Sequence, residues 1–215
     1  SDYRRWLDLR TATVHTEYIS NGAKHSRKYY VSKDCDAMIV EIEAGSKASL
    51  DLEINLSRAF RCTEEITEDG LLKISGTLDS GAEKPGMGYA AYAQILTEGK
   101  NAVIEEGRVY DADKAWIIIS AATSYFEGDD YDRKAREILA TATENFDPRR
   151  TYAASVQAHK ALYDRASVHF ESEAASASLP AGERIIAYSE GAKDNHLAAL
   201  YYNYGRYLLI CSTRE

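Results

Sequence analysis

The spacing of apolar residues changes once along this chain, at Tyr125-Phe126-Glu127-Gly128-Asp129-Asp130, and that change limits the folds open to it. Before this stretch apolar and polar residues alternate, the period of a strand with one buried and one wet face; after it they recur at three and four, the period of a helix. Strands collected in one part of the chain and helices in the other predict an α+β architecture, with the strands forming an antiparallel sandwich rather than βαβ units.

The alternating part has internal punctuation. Segments 11–19 and 24–32 flank Ser20-Asn21-Gly22, and Asn-Gly between two such runs predicts a hairpin because both residues tolerate positive φ. Met38, Val40 and Ile42 alternate with Ile39, Glu41 and Glu43, and Leu50, Leu52, Ile54 and Leu56 alternate with Ser49, Asp51, Glu53 and Asn55. Further strands are predicted over 71–75, 89–96, 102–106 and 115–120. Trp116-Ile117-Ile118-Ile119 is apolar on both faces, which marks a central strand.

In the helical part, Ala135, Ile138, Leu139 and Ala142 form a stripe over 131–145, ended near Asp147-Pro148 because proline disfavours continuation. A second helix over 151–165 carries Tyr152, Val156, His159, Leu162 and Tyr163. The small-residue segment 171–180 reads as a linker, and 183–188 as a short helix. Asp194 or Asn195 can cap a last helix whose stripe is Leu197, Leu200, Tyr201, Tyr204, Leu208 and Cys211. That stripe is wide, and the preceding helices can cover only part of it.

Composition removes several functions. A net charge of −8 over 215 residues, with basic clusters no longer than Arg149-Arg150, argues against binding nucleic acid through its phosphates. No apolar run approaches the roughly 20 residues of a membrane-spanning helix, so no membrane partner is expected. Three cysteines without a C-x-x-C pair suggest neither a zinc knuckle nor a disulfide framework.

Candidate chemical groups read mostly as structure. Glu64-Glu65 and Glu105-Glu106 sit on strands, where neighbours point to opposite faces and cannot converge on one bond; Asp129-Asp130 is placed to cap the following helix. His15, His25, His159, His169 and His196 lack metal-binding spacing. His159, beside Tyr163, reads as a core histidine, and His196 as exposed. There is no G-x-S-x-G elbow, and Gly86-Met87-Gly88 lacks the rest of a phosphate cradle. Sixteen tyrosines could stack on sugars, although Tyr29, Tyr30, Tyr89 and Tyr92 also suit half-buried strands. Arg206, away from the last helix's stripe, could form an interhelical ion pair or line the mouth of a cleft, and the ion pair is favoured. No catalytic, cofactor-binding or metal-binding residue is assigned.

Four segments carry a family resemblance: YRRWLDLRTATVHTEY (3–18), KYYVSKDCDAMIVEIEA (28–44), ERI (183–185) and YGRYLLICSTR (204–214). In this order they resemble glycoside hydrolase family 95, the α-L-fucosidases acting on terminal 1,2-linked fucose. The resemblance implies an incomplete antiparallel β-super-sandwich over 1–125, a helical linker over 126–178, and the beginning of a catalytic (α/α)6 barrel over 179–215. It implies inverting hydrolysis with catalytic groups downstream of this chain, so that the chain alone is inactive. No cofactor is implied. The partners would be a fucosylated oligosaccharide or glycan and the remainder of the catalytic domain. The alternative reading is a non-catalytic carbohydrate-binding or structural β-sandwich module.

Overall fold

The computed structural model describes residues 2–45, 50–79, 81, 86–170 and 179–213, and the chain divides into two compact units. The first joins Ser1–Leu7 to Thr13–Ser155; the second joins Asp8–Ala12 to Val156–Glu215.

Eleven strands among the described residues build the first unit: β1 Arg4–Asp8, β2 Thr13–Ser20, β3 Ala23–Ser32, β4 Ala37–Ala44, β5 Leu50–Glu53, β6 Thr63–Ile66, β7 Leu72–Thr77, β8 Gly88–Glu98, β9 Val103–Glu105, β10 Arg108–Ala112 and β11 Lys114–Thr123. Eight form one sheet in the order β1-β2-β3-β4-β11-β8-β7-β6, and three form a second in the order β5-β10-β9. The expected hairpin is present: Ser20 pairs with Ala23, and the two residues between them, Asn21 and Gly22, have φ of 51° and 77°. β11 lies between β4 and β8, as an apolar run on both faces requires.

Alternation along β4, β8 and β11 supplies two cores, one on each face of the large sheet. Ile39, Tyr92, Trp116 and Ile118 point to one face, where they meet Ala135, Leu139 and Ala142. Val40, Ile42, Ala93, Ala115 and Ile117 point to the other and meet Leu50, Val109 and Ala112 of the small sheet. Each large side chain buried in this way contributes roughly 1.5–3 kcal/mol relative to exposure. The fold is therefore α+β, two antiparallel sheets face to face followed by helices.

Two strands escape the period-two pattern. β6 is exposed throughout, so burial imposes no alternation on it. In β10 the buried Val109 and Ala112 are three residues apart, because the register shifts between them and Asp111 takes φ 52°.

The helical segments are α1 Ser124–Glu127, a 3-10 turn Gly128–Asp130, α2 Tyr131–Thr143, α3 Pro148–Tyr163, α4 Ala181–Ser189 and α5 Asn195–Ser212. Asp147-Pro148 starts a helix rather than stopping one. The Asp147 carboxylate accepts from the Arg149 and Arg150 amides at 2.9 Å each, and Pro148 occupies the first helical position, where its missing N–H costs nothing. α2 ends earlier, with Asn145 in the left-handed region at φ 55°. Of the predicted linker, 171–178 lies outside the described residues.

Candidate functional site

The carboxylate pairs do not converge. Glu65 bridges Lys73 at 3.1 Å, and Lys73 also reaches Asp132 at 3.1 Å. Burial acts to lower the Lys73 pKa, but these contacts together with the Tyr92 hydroxyl outweigh it and hold the ammonium above its ordinary value. Glu64 lies beside the Cys62 thiol at 3.7 Å. Glu105 ends β9, and Glu106 follows in a turn at φ 47°. Asp130 precedes α2 but makes no cap bond with its side chain; its carboxylate pairs with Arg133 at 3.0 Å. The predicted cap is thus replaced by an ion pair one turn along.

Histidines occupy three different settings. His15 stacks on Trp6 with ring centroids 4.8 Å apart, and His25 stacks on Tyr18 at 5.2 Å. In the second unit, His159 is buried, its Nε2 lies 2.9 Å from the Leu9 carbonyl, and its ring stacks on Tyr163. It is a core histidine, as its place on the helix suggested. His196 is not exposed: it is half-buried, with its ring 5.3 Å from that of His169. Among the described residues no group of three or more His, Cys, Asp or Glu could hold a metal ion.

Arg206 departs from expectation. Among the described residues it makes no ion pair; its guanidinium donates to the carbonyls of Leu162 at 3.2 Å, Tyr163 at 2.8 Å and Ala166, and lies over the Tyr163 ring at 5.4 Å. Carbonyls at a helix C-terminus lack intrahelical partners and carry negative potential, so a cation satisfies both needs. Asn203 adds two bonds to the Val168 backbone. Tyr207, on the same side of α5, has its phenol pushed up to about 12 by burial, with Cys211 adding to the shift.

The packed side of α5 is therefore Ala199, Asn203, Arg206 and Tyr207, while much of the predicted stripe faces outward. Tyr201 is 81% exposed and Leu209 65%, with Tyr204 and Leu208 also exposed. At the start of this helix Asp194 caps the Leu197 amide at 3.0 Å and accepts two bonds from Arg184, at 2.9 and 3.0 Å. Arg184 belongs to the ERI segment, and both partners of the bridge are buried. Among the described residues no helix is long and apolar enough to cross a membrane.

A cavity of about 670 Å³ lies on the first unit, lined by Tyr3, Arg5, Val14, Thr16, Tyr18, Ile19, Ser20, Arg27, Tyr29 and Met38. These residues come from β2, β3, β4 and the start of the chain through β1, and one signal for them was available in sequence. Arg27 and Tyr29 are two apart on β3 and share a face, and the register sets Tyr29 opposite Val14 and Arg27 opposite Thr16. The hairpin was predicted, but Arg5, Tyr18 and Arg27 were not singled out, because a groove depends on which part of a sheet face remains uncovered.

Several known proteins are similar to this chain. Residues 1–128 match the family described as Glycosyl hydrolase family 65, N-terminal domain, and residues 148–215 match the Glycosyl hydrolase family 95 catalytic domain. Along its whole length the chain is 24% identical to Alpha-L-fucosidase 2 of Arabidopsis thaliana, of which it spans 29%. A putative kojibiose phosphorylase from the human microbiome is similar at 12% identity and a TM-score of 0.47, over 75% of this chain and 23% of that structure.

Proposed function

Because the chain belongs to a glycosyl hydrolase family, with the family 65 N-terminal domain over 1–128 followed by family 95 catalytic sequence over 148–215, we propose that its parent protein removes terminal α-L-fucose from glycans. The observation that carries this is the alignment of the entire chain with a relative named Alpha-L-fucosidase 2. The substrate is a 1,2-linked fucosylated oligosaccharide or glycan, and hydrolysis proceeds with inversion. An inverting mechanism needs a carboxylic acid to protonate the leaving oxygen and a second group to activate water on the opposite face of the sugar, about 6.5–9.5 Å away. Neither role is assigned to the residues described above; both belong to sequence downstream.

In this reading 1–125 is the sandwich, 126–178 a helical linker and 179–215 the beginning of the (α/α)6 catalytic domain. The outward aromatic side of α5 is then the side that the remainder of that domain covers. Support comes from Tyr201, Tyr202, Tyr204, Leu208 and Leu209, all exposed on one helix, since exposed apolar patches of this kind mark interaction surfaces.

The test uses the full-length protein on 2′-fucosyllactose, with the released sugar followed by NMR before it mutarotates. Free β-L-fucose appearing first is the expected result. First release of the α-anomer would exclude inversion, and no release of fucose would exclude the substrate. The 215-residue chain in the same assay is expected to show no turnover.

A further inference from the structure

We infer that the groove on β1, β2 and β3 binds a carboxylate-bearing saccharide, a hexuronic acid residue of a glycan. The inference starts from where the charges fall. Alternation sends every acidic residue of β2, β3 and β4 to one face: Glu17 pairs with Lys24 at 3.0 Å, Glu41 with Lys28 at 3.0 Å, and Glu43 with Lys114 at 3.2 Å. The opposite face holds Arg27, and among the described residues the cavity there is lined by two arginines, three tyrosines and no acid. In a chain with net charge −8 this is an unbalanced positive site. Neither Arg5 nor Arg27 makes an ion pair among the described residues.

Arg27 is also positioned, its charge supported by the Tyr18 and Tyr29 hydroxyls, with one donor left over. Its Nη2 donates to the Tyr18 hydroxyl at 3.4 Å and its guanidinium lies 5.7 Å from the Tyr18 ring centre, while Nε is buried with no hydrogen-bond partner. A buried donor without a partner is costly, and a carboxylate is the acceptor that a planar guanidinium fits best. The Tyr18 ring also stacks on His25, so a flat aromatic surface is fixed beside the cation. At about 670 Å³ the cavity is too large for a carboxylate alone and lies in the range of small-molecule sites. Tyrosine rings and hydroxyls beside the arginines suit the apolar and hydroxylated faces of a sugar ring. The saccharide half of the inference rests on the glycoside hydrolase reading; the anionic half does not.

The experiment is an NMR titration of the 15N-labelled 215-residue chain with methyl glucuronide, the neutral methyl glucoside and sodium acetate. Glucuronide is expected to shift amides of β1–β3 with an affinity at least roughly tenfold above both controls, and Arg5→Gln or Arg27→Gln is expected to lower it roughly tenfold. Arg5 is exposed, so its variant remains readable if Arg27→Gln fails to fold. Glucoside binding as tightly as glucuronide would overturn the role of the arginines. Acetate binding as tightly would overturn the saccharide, and no shift in β1–β3 would overturn the site. None of these outcomes bears on fucose release, which the separate assay reads.

Discussion

Asp194 does two jobs with one carboxylate. It caps α5 and neutralises Arg184, and both side chains are nearly withdrawn from water, 3% and 9% exposed. Removing one member of such a pair leaves an uncompensated buried charge, which typically costs about 3–5 kcal/mol, and a lost cap adds about 1 kcal/mol. Asp194→Ala is therefore expected to lower the denaturant midpoint of the α4–α5 region strongly. Arg184→Met combined with Asp194→Leu should recover much of the loss, because a well-packed apolar pair avoids the desolvation penalty. A single variant as stable as the parent, measured by urea unfolding, would show the bridge to be incidental. Arg206 illustrates the same logic for a helix end: a guanidinium is satisfied by three carbonyls as well as by an acid, so residue type alone does not choose between them.

At the scale of elements, the start of α3 depends on the ionisation of Asp147. Amide donation from Arg150 holds its carboxyl below the ordinary range; burial opposes the shift, and the Arg149 amide and both guanidinium charges reinforce it. A carboxyl whose folded pKa is depressed stabilises the folded form fully above its unfolded pKa of about 3.9, and that contribution is lost as pH falls through the depressed value. The Arg149 and Arg150 amides are thus expected to lose hydrogen-exchange protection on acidification below about pH 4. In Asp147→Asn, which keeps an acceptor but no charge, protection should vary less with pH. Equal acid dependence in both proteins would locate the titrating group elsewhere. Period and punctuation were legible at this scale for the hairpin, for β4 and β11, and for α2. They were silent for β6, which has no buried face, and for β10, where a bulge breaks the alternation.

Taken as a whole, the molecule buries two cores around one large sheet but leaves apolar side chains in the open along α4 and α5, including Ile185, Ile186, Tyr188, Tyr201 and Leu209. If that surface awaits a partner, replacing Tyr201 and Leu209 together by serine should reduce binding of a hydrophobic dye to the 215-residue chain. Stability should change by no more than about 0.5 kcal/mol per site, since neither side chain is packed. Unchanged dye fluorescence would mean that the exposed residues do not act as a patch. Local sequence determined that strands precede helices, the hairpin turn, the Asp194 cap and the alternation of the central strands, because these follow from backbone geometry and the nearest few neighbours. Tertiary structure alone decided that α5 packs through Asn203 and Arg206 rather than through its apolar stripe. It also decided that Arg27 shares a cavity with Tyr3 and Arg5. Both depend on which surfaces are covered by segments distant in sequence, and a residue's own periodicity carries no record of what lies across from it.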